Sequence, residues 1–255
     1  MQLFIILLAF VLIAAALAWY FIANDRGEHE PIGALWLAFG FGFGGGIVAA
    51  VGENLFISSK DLDPSAALAT IFMASMAVGV IEEACKFIPL ALFLYPKRYF
   101  NEHTDGIIYF ALAGLGFGLP ENVLYTIQFG AATGFRRMLL TPFFHAAITA
   151  MVGYFLIRAK LAKRSPVKVP LVLLIAMVLH GLYDFGLASG RTIYTMVSIS
   201  ITLGLSVLLF MLYTKATDLD QQLGLSRVGH NRFCRSCGKP NTDHHLYCTR
   251  CGERA

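Results

Sequence analysis

Charge is scarce in this chain. Lys, Arg, Asp and Glu make up 14% of 255 residues, against about 25% in a soluble globular domain. With 57% hydrophobic residues and a mean hydropathy of +0.65, that shortage excludes a soluble domain and identifies an integral membrane protein. Alternating apolar segments of ~10 residues are missing, which excludes a transmembrane barrel. The HExxH pattern of soluble zinc proteases is absent as well. No Lys or Arg precedes the first apolar run, and hydrophobicity continues past Ala16-Leu17-Ala18 through Ile22. The first segment therefore reads as a retained helix, not a cleaved signal peptide.

What is present is a series of long apolar runs, and the fold class is all-α: a polytopic transmembrane helical bundle with a small C-terminal zinc ribbon. Seven spans are expected, at 3–23, 32–52, 66–95, 105–128, 138–157, 168–189 and 192–213. Each can cross a hydrocarbon core of ~30 Å as a helix, which takes about 20 residues. Loops after spans one, three and five carry Arg26, Lys97, Arg98, Arg158, Lys160, Lys163, Arg164 and Lys168. The opposite loops carry Lys60, Arg136, Arg137 and Arg191. The positive-inside rule then places the N-terminus outside and the C-terminal tail in the cytoplasm. Span two contains GFGFGGG from Gly40 to Gly46. It follows no strand, so it reads as close helix packing through small residues and not as a nucleotide loop. VGENLF in span two echoes LPENVLY in span four, too weakly for an internal repeat.

Against that background a few charges stand out. A charge at the bilayer centre costs roughly 3 kcal/mol on insertion scales, yet GVIEEACKFIPL places Glu82, Glu83 and Lys86 inside span three. Glu82 and Lys86 are four apart and Glu83 and Lys86 three apart, so the lysine reaches either carboxylate from one helix face. An ion pair keeps one glutamate ionised while the like charge opposes ionising both. Such a split pair is what general acid–base chemistry uses. Glu121 and Asn122 follow Pro120 in span four, which is expected to kink there. His145 follows Pro142 in span five, and His180 and Asp184 lie four apart in span six. By helical rise His145, Glu121 and His180 lie about 10, 12 and 13 Å from the outer ends of their spans. Facing lipid, these ionisable groups would together cost on the order of 15 kcal/mol, so they are expected to converge on one polar, water-accessible pocket.

Four motifs carry a resemblance. EEACK, FGLPEN, the isolated histidine of FFHAA, and HGLYD occur in the order seen in PrsW-type intramembrane proteases. That family is related to CAAX prenyl endopeptidases and bacteriocin-processing enzymes, with EExxxR, FxxxH and a final HxxxN or HxxxD-like motif. The resemblance covers roughly residues 75–190. It implies peptide-bond hydrolysis in or beside a prokaryotic plasma membrane, acting on single-span, anti-sigma-factor-like substrates at the first cleavage site. By the same resemblance Glu82 polarises the attacking water, Glu83 shares the pocket, Lys86 positions the pair, and Glu121 assists with the water or proton. His145 or His180 donates to the oxyanion with help from Asn122, and Asp184 orients His180. Two features depart from the CAAX side: Lys86 stands one residue closer than the arginine, and Glu121 replaces the histidine of FxxxH. Zinc held by Glu82, Glu121, His145, His180 and Asp184 is the alternative to metal-free glutamate chemistry. From another class, a proton- or ion-coupled transporter could also use a Glu/His/Asp network.

Residues 1–213 thus form the membrane domain, 214–232 a linker, and 233–255 a ribbon. The ribbon holds Cys234-x2-Cys237 and, ten residues on, Cys248-x2-Cys251. Four thiolates at that spacing are a structural zinc pattern, and a cytoplasmic location argues against disulfides. A cytoplasmic protein partner is expected for it; Arg235, Lys239 and Arg250 are too few to argue for nucleic acid. Cys85, three residues after Glu82, reads as a small buried filler. Cys85→Ala is therefore expected to retain cleavage activity in a substrate-processing assay.

Overall fold

The computed structural model describes residues 2–27, 30–163 and 167–223. Among them there are seven long helices and no strand: α1 Gln2–Ala23, α2 Ile32–Phe56, α3 Leu68–Phe93, α4 His103–Phe129, α5 Ala131–Leu161, α6 Lys168–Ala188 and α7 Thr192–Gln222. A single 3-10 turn, Ser59–Leu62, lies between α2 and α3. All seven helices are long and apolar enough to cross a membrane. The four cysteines of the expected ribbon lie outside the described residues.

α4 and α5 form an antiparallel hairpin at the centre of the bundle and are its two most enclosed helices. Their link is one residue, Gly130, whose φ of 84° suits glycine at a reversal between helices. α1 and α2 pack on α4, α7 packs on α5 and α6, and α3 packs mainly on α6 and α2. Contact of α3 with the central hairpin is sparse by comparison, and the polar groups gather in that gap.

The glycines of span two act as expected. A side chain at Gly42 would strike the Ala113 carbonyl of α4, and one at Gly46 would strike Phe117 and Pro120. A second close approach joins α3 to α6, where Gly79 faces the backbone of Met177 and Gly181. One residue from Gly181 is His180 and one turn from Gly79 is Glu83, so this contact brings the two side chains together.

The helices differ from the expected spans at their ends. α5 starts seven residues earlier, at Ala131, so Arg136 and Arg137 belong to a helix and not to a loop. α4 runs unbroken through Pro120. α7 continues to Gln222, into the stretch expected as linker. That extension has a packing role. The Asp220 carboxylate accepts the backbone N–H of His103 at 2.8 Å and of Thr104 at 3.0 Å, and lies 2.7 Å from His103 Nδ1. It therefore caps the N-terminus of α4, where unpaired amides and the helix dipole favour an anion. Asp220→Ala is expected to cost about 1–2 kcal/mol, read as a thermal midpoint lower by about 2–8 °C in detergent.

Candidate active site

Three residues of one α3 face, Glu82, Glu83 and Lys86, are all buried. Lys86 Nζ lies 3.2 Å from Glu82 Oε2, 2.8 Å from Glu83 Oε1 and 3.1 Å from His145 Nδ1. It also sits 4.0 Å from the centre of the Phe117 ring, a favourable place for a cation. An ammonium has three protons and no lone pair, so all three are engaged and His145 Nδ1 must accept. The proton of neutral His145 is then on Nε2, which donates to Glu121 Oε2 at 2.7 Å.

Glu121 is held from its other side by Arg137, whose guanidinium donates to Oε1. Arg137 Nε also donates to Asn122 Oδ1 at 3.2 Å, and its plane lies 3.9 Å from the Tyr125 ring centre. Thr141 donates to the same Asn122 oxygen at 3.0 Å, while Asn122 Nδ2 donates to the Gly118 carbonyl at 2.6 Å. Asn122 thus ties α4 to α5 and holds Arg137 in place.

His180 completes the cluster. Its Nδ1 is 2.7 Å from Glu83 Oε1, and its Nε2 is 3.3 Å from Glu82 Oε2 and 3.4 Å from Asp184 Oδ2. The closest carboxylate is therefore Glu83, not Asp184, whose Oδ2 is buried without a hydrogen-bond partner among the described residues. Phe144 presents its edge to His180, with ring centres 5.0 Å apart, and stacks on Tyr183.

All eight residues expected from the sequence meet in this region. A cavity of about 460 Å³ reaches Glu82 and Glu121 from the end of the bundle carrying the α2–α3 connection. Cys85 is half-buried rather than buried, its backbone against Gly45 of α2. Two participants escaped the sequence reading. Arg137 falls in an expected loop, although its spacing from Thr141 and His145, in steps of four, places it on their face. Glu53 stands out in the sequence only through the VGENLF echo, although an acid inside an apolar helix is a functional candidate by default; it lines the same cavity.

The fit to a metal is mixed. One ligand atom each from Glu82, His145 and His180 lie within 4.8 Å of one another, and two histidines with a glutamate are a catalytic zinc donor set. Both nitrogens of His145 are already committed, however, one to Lys86 and one to Glu121. The Lys86 ammonium, hydrogen-bonded to Glu82 and His145, places a positive charge against the same ligands. As arranged, the residues do not fit a metal.

A seven-helix membrane protein with buried carboxylates, backed by histidines and open to a cavity, fits the class of intramembrane hydrolases. The particular family follows from comparison: the model of the PrsW family intramembrane metalloproteases matches residues 30–214, and the chain belongs to that family. It is 34% identical over 172 residues to the protease PrsW of Bacillus subtilis, covering 67% of this chain and 77% of that protein. Over 171 residues it is 31% identical to the protease PrsW of Geobacillus kaustophilus, covering 67% and 74%. Over 192 residues it is 27% identical to that of Clostridioides difficile, covering 72% and 79%. No solved structure matches. These relatives are proteases, and the transporter reading draws no support from them.

Arg137 holds one oxygen of the Glu121 carboxylate while His145 donates to the other. Arg137→Met is expected to lower kcat about 10²-fold, the scale of a small misplacement at a reacting centre, with KM little changed. Arg137→Lys should restore part of the loss, measured by steady-state cleavage in detergent or liposomes.

Proposed function

We propose that the protein is an intramembrane endopeptidase that activates water with a glutamate. The carrying observation is that Glu82 both lines the cavity and touches Lys86 and His180. Water in the cavity gives a proton to Glu82 as its oxygen attacks the scissile carbonyl carbon. The negative charge on the tetrahedral oxygen is met by His180, whose Nδ1–H is held by Glu83 and whose Nε2 donates when it too carries a proton. Collapse breaks the C–N bond, and Glu82 returns its proton to the leaving amine. Glu83 holds Lys86 and His180 in register, and Lys86 supplies the fixed positive charge beside both glutamates. Glu121, held by Arg137, orients His145 and faces the water.

The substrate is a single-span membrane protein of the anti-sigma-factor type. Support comes from the family resemblance and from a site enclosed by membrane helices, which a membrane-anchored segment enters more readily than a soluble one. An external N-terminus and a cytoplasmic tail follow from the basic bias of the sequence, Arg26, Lys97, Arg98, Arg158, Lys160, Lys163, Arg164 and Lys168 against Lys60, Arg136, Arg137 and Arg191. The tail's four cysteines, Cys234, Cys237, Cys248 and Cys251, hold a structural zinc ion and engage a cytoplasmic partner.

The test combines two measurements on one reconstituted preparation. Glu82→Gln is expected to lower cleavage by at least about 10³-fold, given the weight of a general base. Strong chelation followed by removal of the chelator should leave wild-type cleavage unchanged. Full activity in Glu82→Gln would end the glutamate mechanism. Activity lost on chelation and restored only by added metal, both in wild type and in a variant with the four tail cysteines changed to serine, would replace it with a metal-assisted one.

A further inference from the structure

Glu53 stands outside the ion-pair network yet inside the cavity. It lies in the last turn of α2, where terminal carbonyls make the surroundings electronegative. Its Oε1 is buried and has no hydrogen-bond partner among the described residues. The strong cations nearby are engaged elsewhere: Lys86 with Glu82, Glu83 and His145, and Arg137 with Glu121 and Asn122. Lys60 shares the cavity wall with Glu53, Asp63, Glu82 and Glu121. No ion pair joins Lys60 to Glu53 among the described residues. Asp63 is satisfied locally: the Ser65 hydroxyl and N–H donate to it at 2.5 and 2.8 Å and hold its carboxyl below the usual range. What remains is an unpaired acceptor in an electronegative wall that also holds Glu82. Its complement is a hydrogen-bond donor with positive charge.

We propose that Glu53 is a specificity-determining residue, receiving the side chain of a substrate lysine or arginine beside the scissile bond. The aliphatic stem of such a side chain suits passage between apolar helices, with its charged head reaching the carboxylate. This deepens the endopeptidase reading and rests on it.

The test uses the full chain in liposomes and single-span test proteins carrying Lys, Gln or Glu at successive juxtamembrane positions. At one position, wild type is expected to cleave the Lys protein about tenfold faster than the Gln protein in kcat/KM, the scale of a charge-assisted hydrogen bond. Glu53→Gln should bring that ratio to about one, Glu53→Asp should keep its direction, and Glu53→Lys should favour the Glu protein. An unchanged Lys-to-Gln ratio in Glu53→Gln, or no preference in wild type, would overturn the proposal while leaving the hydrolase reading intact. Loss of all cleavage in both Glu53→Gln and Glu53→Asp would overturn it too, by making Glu53 indispensable to the chemistry. Wild-type cleavage that persists in Glu82→Gln would instead remove the endopeptidase mechanism on which it rests.

Discussion

A buried ammonium must be surrounded by acceptors, because desolvating an unpaired charge costs several kcal/mol. Lys86 meets that demand with two carboxylates from its own helix and one imidazole from α5. The condition is mutual. Glu82 and Glu83 are tolerable in the bundle because Lys86 lies between them, and the His145 tautomer follows because Lys86 can only donate. From that tautomer comes the bond to Glu121, and from Glu121 the buried position of Arg137. One cation on α3 therefore dictates proton positions on α4 and α5.

The fold makes room for this arrangement. α4 and α5 are locked together through small residues, and α3 is fastened to α6 at Gly79 and Gly181. Between the two pairs apolar packing is thin, and the polar bridge from Lys86 to His145 crosses the gap. A hydrolase inside a membrane needs such a place, where water and an unwound peptide can lie among helices without breaking a tight core. The cavity that reaches Glu82 and Glu121 occupies it.

Within the proposed mechanism, two fixed cations do electrostatic work that a metal ion does in other hydrolases. Lys86 and Arg137 offset the negative charge of Glu82, Glu83 and Glu121, and they do so from the sides facing away from the cavity. The carboxylate faces turned to the cavity stay available to water. Glu53 lies beyond the reach of both cations' hydrogen bonds, which is why it is a contact for the incoming chain and not a member of the network.

The sequence by itself determined the membrane class, the seven helices and the pairing of Lys86 with Glu82 and Glu83. These depend on hydropathy over about 20 residues and on spacings of three and four along one helix, both local properties. It also marked Glu121, His145, His180 and Asp184, because an ionisable group in an apolar run is conspicuous. Only the tertiary structure decided who pairs with whom. Glu83 rather than Asp184 is the near partner of His180 because α3 and α6 touch at glycines, a contact between residues about a hundred positions apart. Arg137 looked like a loop residue until the one-residue turn at Gly130 lengthened α5 and carried it inward. Glu53 joined the site because α2 packs on α4, and Asp220 became a helix cap because α7 outlasts its apolar stretch. Spacing along a helix is written in the chain; contact between helices depends on how their surfaces fit.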